Sequence, residues 1–231
     1  MPAVAIVPAA GLGKRLKASR HKSFVLLGNR PILFWTLRAM EKSRAIDRIV
    51  VVAHREDLPA TQKLIERYRF RKVTSVVPGG RTRTDSVYRG LQALPSETKW
   101  VIVHDGARPL ATPRVFEETL AAAQKTGSAI AAIPVVPTIK EASGPWVSRT
   151  LERNRLWAVQ TPQAFRRDLL DRAHARARRK KWKATDDAVL VEALGRRVRI
   201  VMGDSRNIKV TTPEDVVIAQ ALLKDASRNR V

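Results

Sequence analysis

Short β-branched runs alternate along this chain with longer amphipathic stretches, and that alternation narrows the possible architectures more than any other feature. The runs AVAIVPA, IDRIVVVA, VTSVV, WVIVHD, SAIAAIPVV and VRIVMGD have the length and the Val/Ile enrichment of buried strands. Between them the periodicity predicts helices over 31–42, 57–69, 82–94, 113–126, 167–180, 186–194 and 213–224, several opening on Thr, Ser or Asp followed by Pro or an acid. Strand and helix in regular succession predict an α/β fold, with a mostly parallel sheet covered by helices on both faces.

One segment departs from the pattern. Residues 138–151, TIKEASGPWVSRTL, alternate in polarity on either side of Ser143-Gly144-Pro145, which reads as two antiparallel strands around a turn. A lone two-stranded hairpin is marginal in water, so this arm needs a surface to pack on. A second copy of the chain is the expected support, and packing on its own domain is the alternative. The 231 residues otherwise suit a single domain over 1–231, with the arm at about 137–153 as its dimerisation element.

Composition adds a constraint on partners. With 44 Lys+Arg against 21 Asp+Glu the formal charge is +23, which favours polyanions. Small phosphates, nucleic acid and anionic membranes all satisfy it, and so does an Arg-rich lineage with no functional meaning. The absence of cysteine excludes disulfides and thiolate metal sites. The N-terminal segment is apolar first and basic afterwards, the reverse of a secretory signal, and no apolar run reaches the roughly 18 residues a membrane helix needs. A cytoplasmic location is expected, without a membrane partner.

The chemistry concentrates where strands end. Pro8-Ala-Ala-Gly-Leu-Gly-Lys-Arg15 follows the first strand, with Lys22 shortly after, and loops at the carboxyl ends of strands form the ligand crevice of an open α/β sheet. Small residues from Ala9 to Gly13 let backbone N–H groups approach a triphosphate, while Lys14, Arg15 and Lys22 supply charge. A dinucleotide fingerprint fails because Leu16 stands where its last glycine belongs, and a P-loop fails because Arg15 follows Gly13-Lys14. Taken alone, this segment reads equally as a tight turn with basic neighbours. Asp105, ending the strand of VIVHDGARP, can hold a magnesium ion beside a triphosphate, or simply cap a turn. Gly79-Gly80, followed by Asp85-Ser86 and Gly90, forms a further strand-to-helix loop, and Lys209 precedes the last helix.

Taken together, PAAGLGKR, Lys22, PGGRTRTDSV, VHDGARP, the arm at Thr138, Arg153-Asn154 with Leu156-Trp157, TPQAF, Thr185-Asp186-Asp187 and NIKVTTPED resemble, in order, the 2-C-methyl-D-erythritol 4-phosphate cytidylyltransferase family. The resemblance spans nearly the whole chain. It implies a Rossmann-like nucleotidyltransferase fold, CTP as donor, Mg2+ or another divalent cation, and a homodimer whose arms complete the partner's site. Carried over by position, Ala9, Ala10, Gly11 and Gly13 surround CTP, with Arg15, Lys22 and Lys209 as catalytic cations on its phosphates. Gly80 and Ser86 read the cytosine edge, and Asp105 serves the metal. Thr138, Arg153, Thr161, Thr185 and Asp186 bind the methylerythritol phosphate. One departure stands out: the family often has an acid after the paired glycines, and this chain has Arg81, which is left outside the site.

Such a site needs no general base. A phosphate monoester has a second pKa of about 6, so the acceptor already carries an anionic nucleophile. The difficulty is bringing it against a polyanionic donor, which fixed cations relieve. None of His21, His54, His104 or His174 lies in a motif that marks a base, and His104 reads as structural. Two other readings stand beside this one. A cytidylyltransferase acting on ribitol 5-phosphate or another polyol phosphate would share the donor site. A nucleic-acid-binding protein on the same scaffold would use the stripe of Arg172, Arg176, Arg179 and Lys183 near Trp182, although a solvated Arg-rich surface explains the stripe as well.

Overall fold

A computed structural model describes residues 3–11, 13–16, 21–182 and 184–228, except for the side chains of Lys14 and of residues 226–228. Chain order runs β1 (Ala3–Pro8), a short β2 (Leu26–Leu27) and β3 (Arg30–Pro31), α1 (Ile32–Lys42), β4 (Ile46–Ala53), α2 (Leu58–Tyr68), β5 (Val73–Pro78) and α3 (Arg83–Gln92). It continues through β6 (Trp100–Val103), α4 (Pro113–Thr126), β7 (Ser128–Pro134), β8 (Lys140–Ser143), β9 (Trp146–Thr150), β10 (Trp157–Arg166), α5 (Arg167–Arg179), α6 (Ala188–Glu192), β11 (Arg199–Met202) and α7 (Pro213–Arg228).

The main sheet has seven strands in the order β11-β7-β10-β6-β1-β4-β5. Pairing is parallel from β6 through β1 and β4 to β5, and again between β11 and β7. Its helices lie on both faces, and the two-residue period of β1 shows why. Ala3, Ala5 and Val7 pack with Leu33, Leu37 and Met40 of α1 and Phe116 and Leu120 of α4. Val4 and Ile6 point the other way, into Val87 and Leu91 of α3 and Leu169, Leu170 and Ala173 of α5. Each of the larger side chains, the Val, Leu, Ile, Met and Phe, contributes about 1.5–3 kcal/mol on burial, so a strand apolar on both faces is held only between two helical layers.

Helix ends follow local chemistry. Thr82 and Asp85 form a reciprocal capping box at the start of α3, and α4 begins on Pro113 and stops at Gly127 in the left-handed region. The expected helices all form, with ends shifted by a few residues. The alternation does not reveal β10, which runs antiparallel between β6 and β7. Pro162 lies inside it and cannot donate to a ladder, a feature that argues against a central strand. The chain resolves the conflict by slipping register between Val159 and Gln163, so the proline sits where pairing is interrupted.

The arm forms as the turn signal predicts: β8 and β9 pair antiparallel, and every residue of both strands is exposed. Trp146 keeps 78% and Val147 62% of its surface in solvent. Among the described residues, no helix is long and apolar enough to cross a membrane.

Candidate active site

The loops after β1, β5 and β6, together with the turn before α7, enclose a cavity of about 740 Å³ at the carboxyl ends of the strands. Ala9, Ala10, Gly11, Gly13, Arg15, Lys22, Gly80, Ser86, Asp105 and Lys209 all line it. Residues distant in sequence therefore meet around one space. Lys14's side chain and Lys183 lie outside the described residues.

Close backbone approach builds the walls. Gly13 has φ +65°, and a Cβ there would lie 2.8 Å from Cβ of Lys22, so only glycine lets the loop fold onto the turn that presents this lysine. A Cβ on Gly79 would lie 2.3 Å from Cβ of Ala10, which shows how tightly the β5 loop presses on the β1 loop. The Ser86 hydroxyl donates to Thr82 O (2.9 Å) and accepts from Gly80 N (3.1 Å). With one bond donated and one accepted, it retains one free lone pair, and Ser86 lines the cavity.

Charge in the cavity is one-sided. Among the described residues, Arg15, Lys22, Arg55, Arg81, Arg83, Arg89 and Lys209 line it against a single acid, Asp105. Lys209 Nζ lies 2.7 Å and Arg83 Nε 3.1 Å from Asp105, with Arg108 Nε at 3.9 Å. Burial would raise the Asp105 pKa, but Arg83 and Lys209 outweigh it and hold this carboxyl well below the usual range. Burial, reinforced by repulsion from Lys209, lowers Lys22 to about 8.

Beneath the cavity floor lies a second layer that sequence reasoning leaves without a role. Arg83 reaches past Asp105 to donate to Asp187 (2.7 Å), whose other oxygen lies 3.0 Å from His174 Nε2. Asp187 is held below its ordinary range by Arg83 and His174 despite full burial. The Thr161 hydroxyl accepts from the Asp105 amide (3.0 Å) and lies 3.1 Å from His104 Nδ1. A hydroxyl has one proton, so donation to Nδ1 leaves His104 Nε2 to donate to Arg108 O at 3.3 Å. Burial lowers His104 to about 4, so its ring is neutral at physiological pH and positions rather than titrates.

The residues expected on the acceptor side are not gathered in the same way. Thr138, Arg153, Thr161, Thr185 and Asp186 do not line the cavity. Thr161 is buried below it, and Asp186 accepts from Gln163 Nε2 and Val189 N near the start of α6. Thr138, Arg153 and Thr185 are exposed, and Arg153 donates to Val136 O (3.0 Å) at the base of the arm. Arg81, set aside on sequence grounds, does line the cavity. On α5, Arg172 and Arg179 are exposed; Arg172 lies 3.8 Å from Asp168, and Arg178 stacks on Tyr88 at 4.1 Å.

Asp105 is the carboxylate that the cavity wall offers a divalent ion, its two oxygens now paired with Lys209 and Arg83; magnesium takes one or two carboxylates and completes its shell with phosphates and water.

Known proteins supply the remaining observation. The sequence model of 2-C-methyl-D-erythritol 4-phosphate cytidylyltransferase matches residues 3–225. The enzyme of that name from Pelotomaculum thermopropionicum is 49% identical, over 95% of this chain and 93% of its own. Its namesake from Geobacter metallireducens is 43% identical, over 97% and 99%. Among solved structures, 4-diphosphocytidyl-2C-methyl-D-erythritol synthase from Anaerococcus prevotii superposes with a TM-score of 0.86 at 32% identity, covering 96% of each chain. The cytidylyltransferase from Thermus thermophilus gives 0.81 at 36%, covering 97% of this chain and all of its own.

Proposed function

This chain belongs to the 2-C-methyl-D-erythritol 4-phosphate cytidylyltransferase family, and from that premise we propose how its cavity transfers a cytidylyl group to 2-C-methyl-D-erythritol 4-phosphate, a step in isoprenoid precursor synthesis. CTP is the donor. An anionic phosphate oxygen of the acceptor attacks the α-phosphorus, the bond to the bridging oxygen breaks, and pyrophosphate leaves with that electron pair. No proton has to move at neutral pH, because the acceptor monoester is already largely dianionic. The observation that carries this reading is the convergence of Arg15, Lys22 and Lys209 with Asp105 on one cavity at the strand ends.

Arg15, Lys22 and Lys209 offset the repulsion between the two anions and stabilise the departing pyrophosphate through preorganised charge. The loop of Ala9, Ala10, Gly11 and Gly13 surrounds the phosphates, with the Ala9 amide itself tied to Val52 O. A bound Mg2+ would supply charge neutralisation, with Asp105 as its protein ligand. Gly80 and Ser86 select the base: the free lone pair of Ser86 suits the amino group of cytosine and opposes the carbonyl that uracil carries there.

Thr138, Arg153, Thr185 and Asp186 bind the acceptor phosphate and polyol, while Thr161 acts indirectly, its buried hydroxyl holding the Asp105 amide. The whole chain acts as one nucleotidyltransferase domain whose arm, 137–153, reaches a second copy. The exposure of Trp146 and Val147 supports that arrangement, since apolar side chains on an isolated hairpin gain stability only when covered. We place the reaction in the cytoplasm, consistent with a chain that contains no cysteine.

The test is to combine CTP, Mg2+ and 2-C-methyl-D-erythritol 4-phosphate and measure pyrophosphate, with ribitol 5-phosphate in a parallel reaction. Release with the first acceptor and not the second is expected; the reverse pattern would overturn the assignment of acceptor.

A further inference from the structure

A cluster of nitrogen and oxygen ligands stands at the rim of this cavity, apart from Asp105. His54 and Arg55, following β4, line the cavity, as does Lys22, and His21 immediately precedes that lysine. The rings of His21 and His54 face each other with centroids 4.5 Å apart, tilted by 58° rather than stacked. His21 Nδ1 lies 2.7 Å from Asp57 Oδ2. A carboxylate can only accept, so Nδ1 carries the proton and the lone pair of the neutral ring is on Nε2. That nitrogen lies 4.0 Å from Glu56 Oε2, and His54 Nδ1 lies 3.9 Å from the same oxygen. One ligand atom from each of His21, His54 and Glu56 falls within 4.8 Å of the other two.

Ligands held about 2.0–2.2 Å from one zinc-like ion stand roughly 3.3–4 Å apart, so a small inward movement closes the set. The competing contact is weak: Glu56 N donates to His54 Nδ1 across 3.4 Å. Asp57 supplies a second, independent sign. It stands at the N-cap of α2 but its side chain makes no capping bond, and instead holds His21 in the carboxylate–imidazole arrangement that orients metal-bound histidines.

We propose that His21, His54 and Glu56 bind a divalent cation of the zinc class, with Asp57 orienting His21. Two imidazoles favour Zn2+, Co2+ or Ni2+ over Mg2+, which prefers oxygen ligands. Three protein ligands leave a coordination position open, and occupancy ties the residue before Lys22 to the turn after β4.

The experiment titrates metal-free protein with Co2+ in excess Mg2+, reading visible absorption. The expected result is a set of intense bands from low-coordinate cobalt that one equivalent of Zn2+ removes, and a thermal midpoint that climbs with Zn2+. His54→Ala and Glu56→Gln should abolish the bands, and Asp57→Asn should weaken binding about 10- to 100-fold. Unchanged midpoints for the metal-free variants will show that they fold. Absence of the bands from the wild type, or their survival in His54→Ala and Glu56→Gln, overturns the site; wild-type affinity in Asp57→Asn overturns the orienting role.

Discussion

The two halves of the proposed reaction centre are built differently. On the donor side, loops from across the sequence close on one cavity within a single chain, and its one acid is fixed by Lys209, Arg83 and Thr161. On the acceptor side, Thr138, Arg153 and Thr185 are exposed and stand outside that cavity. In the proposed assignment, the donor residues are thus gathered within one chain, whereas the acceptor residues are not.

The largest effect should come from Asp105→Asn, which removes the proposed metal ligand and leaves Lys209 without its carboxylate partner, while Arg83 keeps only Asp187. We expect kcat to fall roughly 10²–10³-fold, measured beside circular dichroism to confirm the fold. Lys22→Ala should lower turnover by about 10²-fold with an unchanged fold; wild-type turnover would remove Lys22 from the catalytic set. Arg153→Ala should raise KM for the acceptor by about tenfold while leaving CTP binding, measured alone, unaltered.

Mixing the last two variants sharpens the contrast. If the arm crosses between subunits, a heterodimer of Lys22→Ala and Arg153→Ala holds one intact site, and activity above the sum of the two should appear on mixing. No recovery would place Arg153 in its own chain's site. Ser86→Ala should reduce discrimination between CTP and UTP by about tenfold, the cost of one lost hydrogen bond; equal selectivity would remove Ser86 from base recognition.

The smallest effect concerns pH. With Lys22 lowered to about 8, activity of the free enzyme should decline as pH rises through that value, and Lys22→Arg should displace the decline to higher pH. Stability runs the other way. The unfolded lysine binds its proton up to its ordinary value of 10.5, so holding Lys22 charged destabilises the fold below about 8, and that cost is relieved between the two values. Asp105 has the opposite sign: its stabilising contribution is present above the ordinary carboxylate range and is lost as acid protonates it.

The donor loops were legible in the sequence because each is a contiguous motif at a strand end, where topology already demands a crevice. The parallel sheet was legible because strand and helix periods alternate cleanly. Strand β10 was not, since Pro162 reads as a strand breaker and only the register slip at Val159 and Gln163 accommodates it. Nor was the bond from Arg83 to Asp187, whose partners lie 104 residues apart and meet only after folding. Thr161 was noticed for its motif, yet its hydroxyl holds the Asp105 amide rather than lining the cavity. Arg81 shows the converse, a residue discounted for departing from a pattern that nevertheless faces the same space.

The scarcity of acid around this hollow carries one last implication. Positive potential draws in an arriving triphosphate and a departing diphosphate alike, so the sign of a visitor tells the enzyme nothing about its identity. In the proposed reading, recognition is delegated to neutral groups such as the Ser86 hydroxyl, which the Gly80 amide holds in place and which speaks in shape instead of voltage.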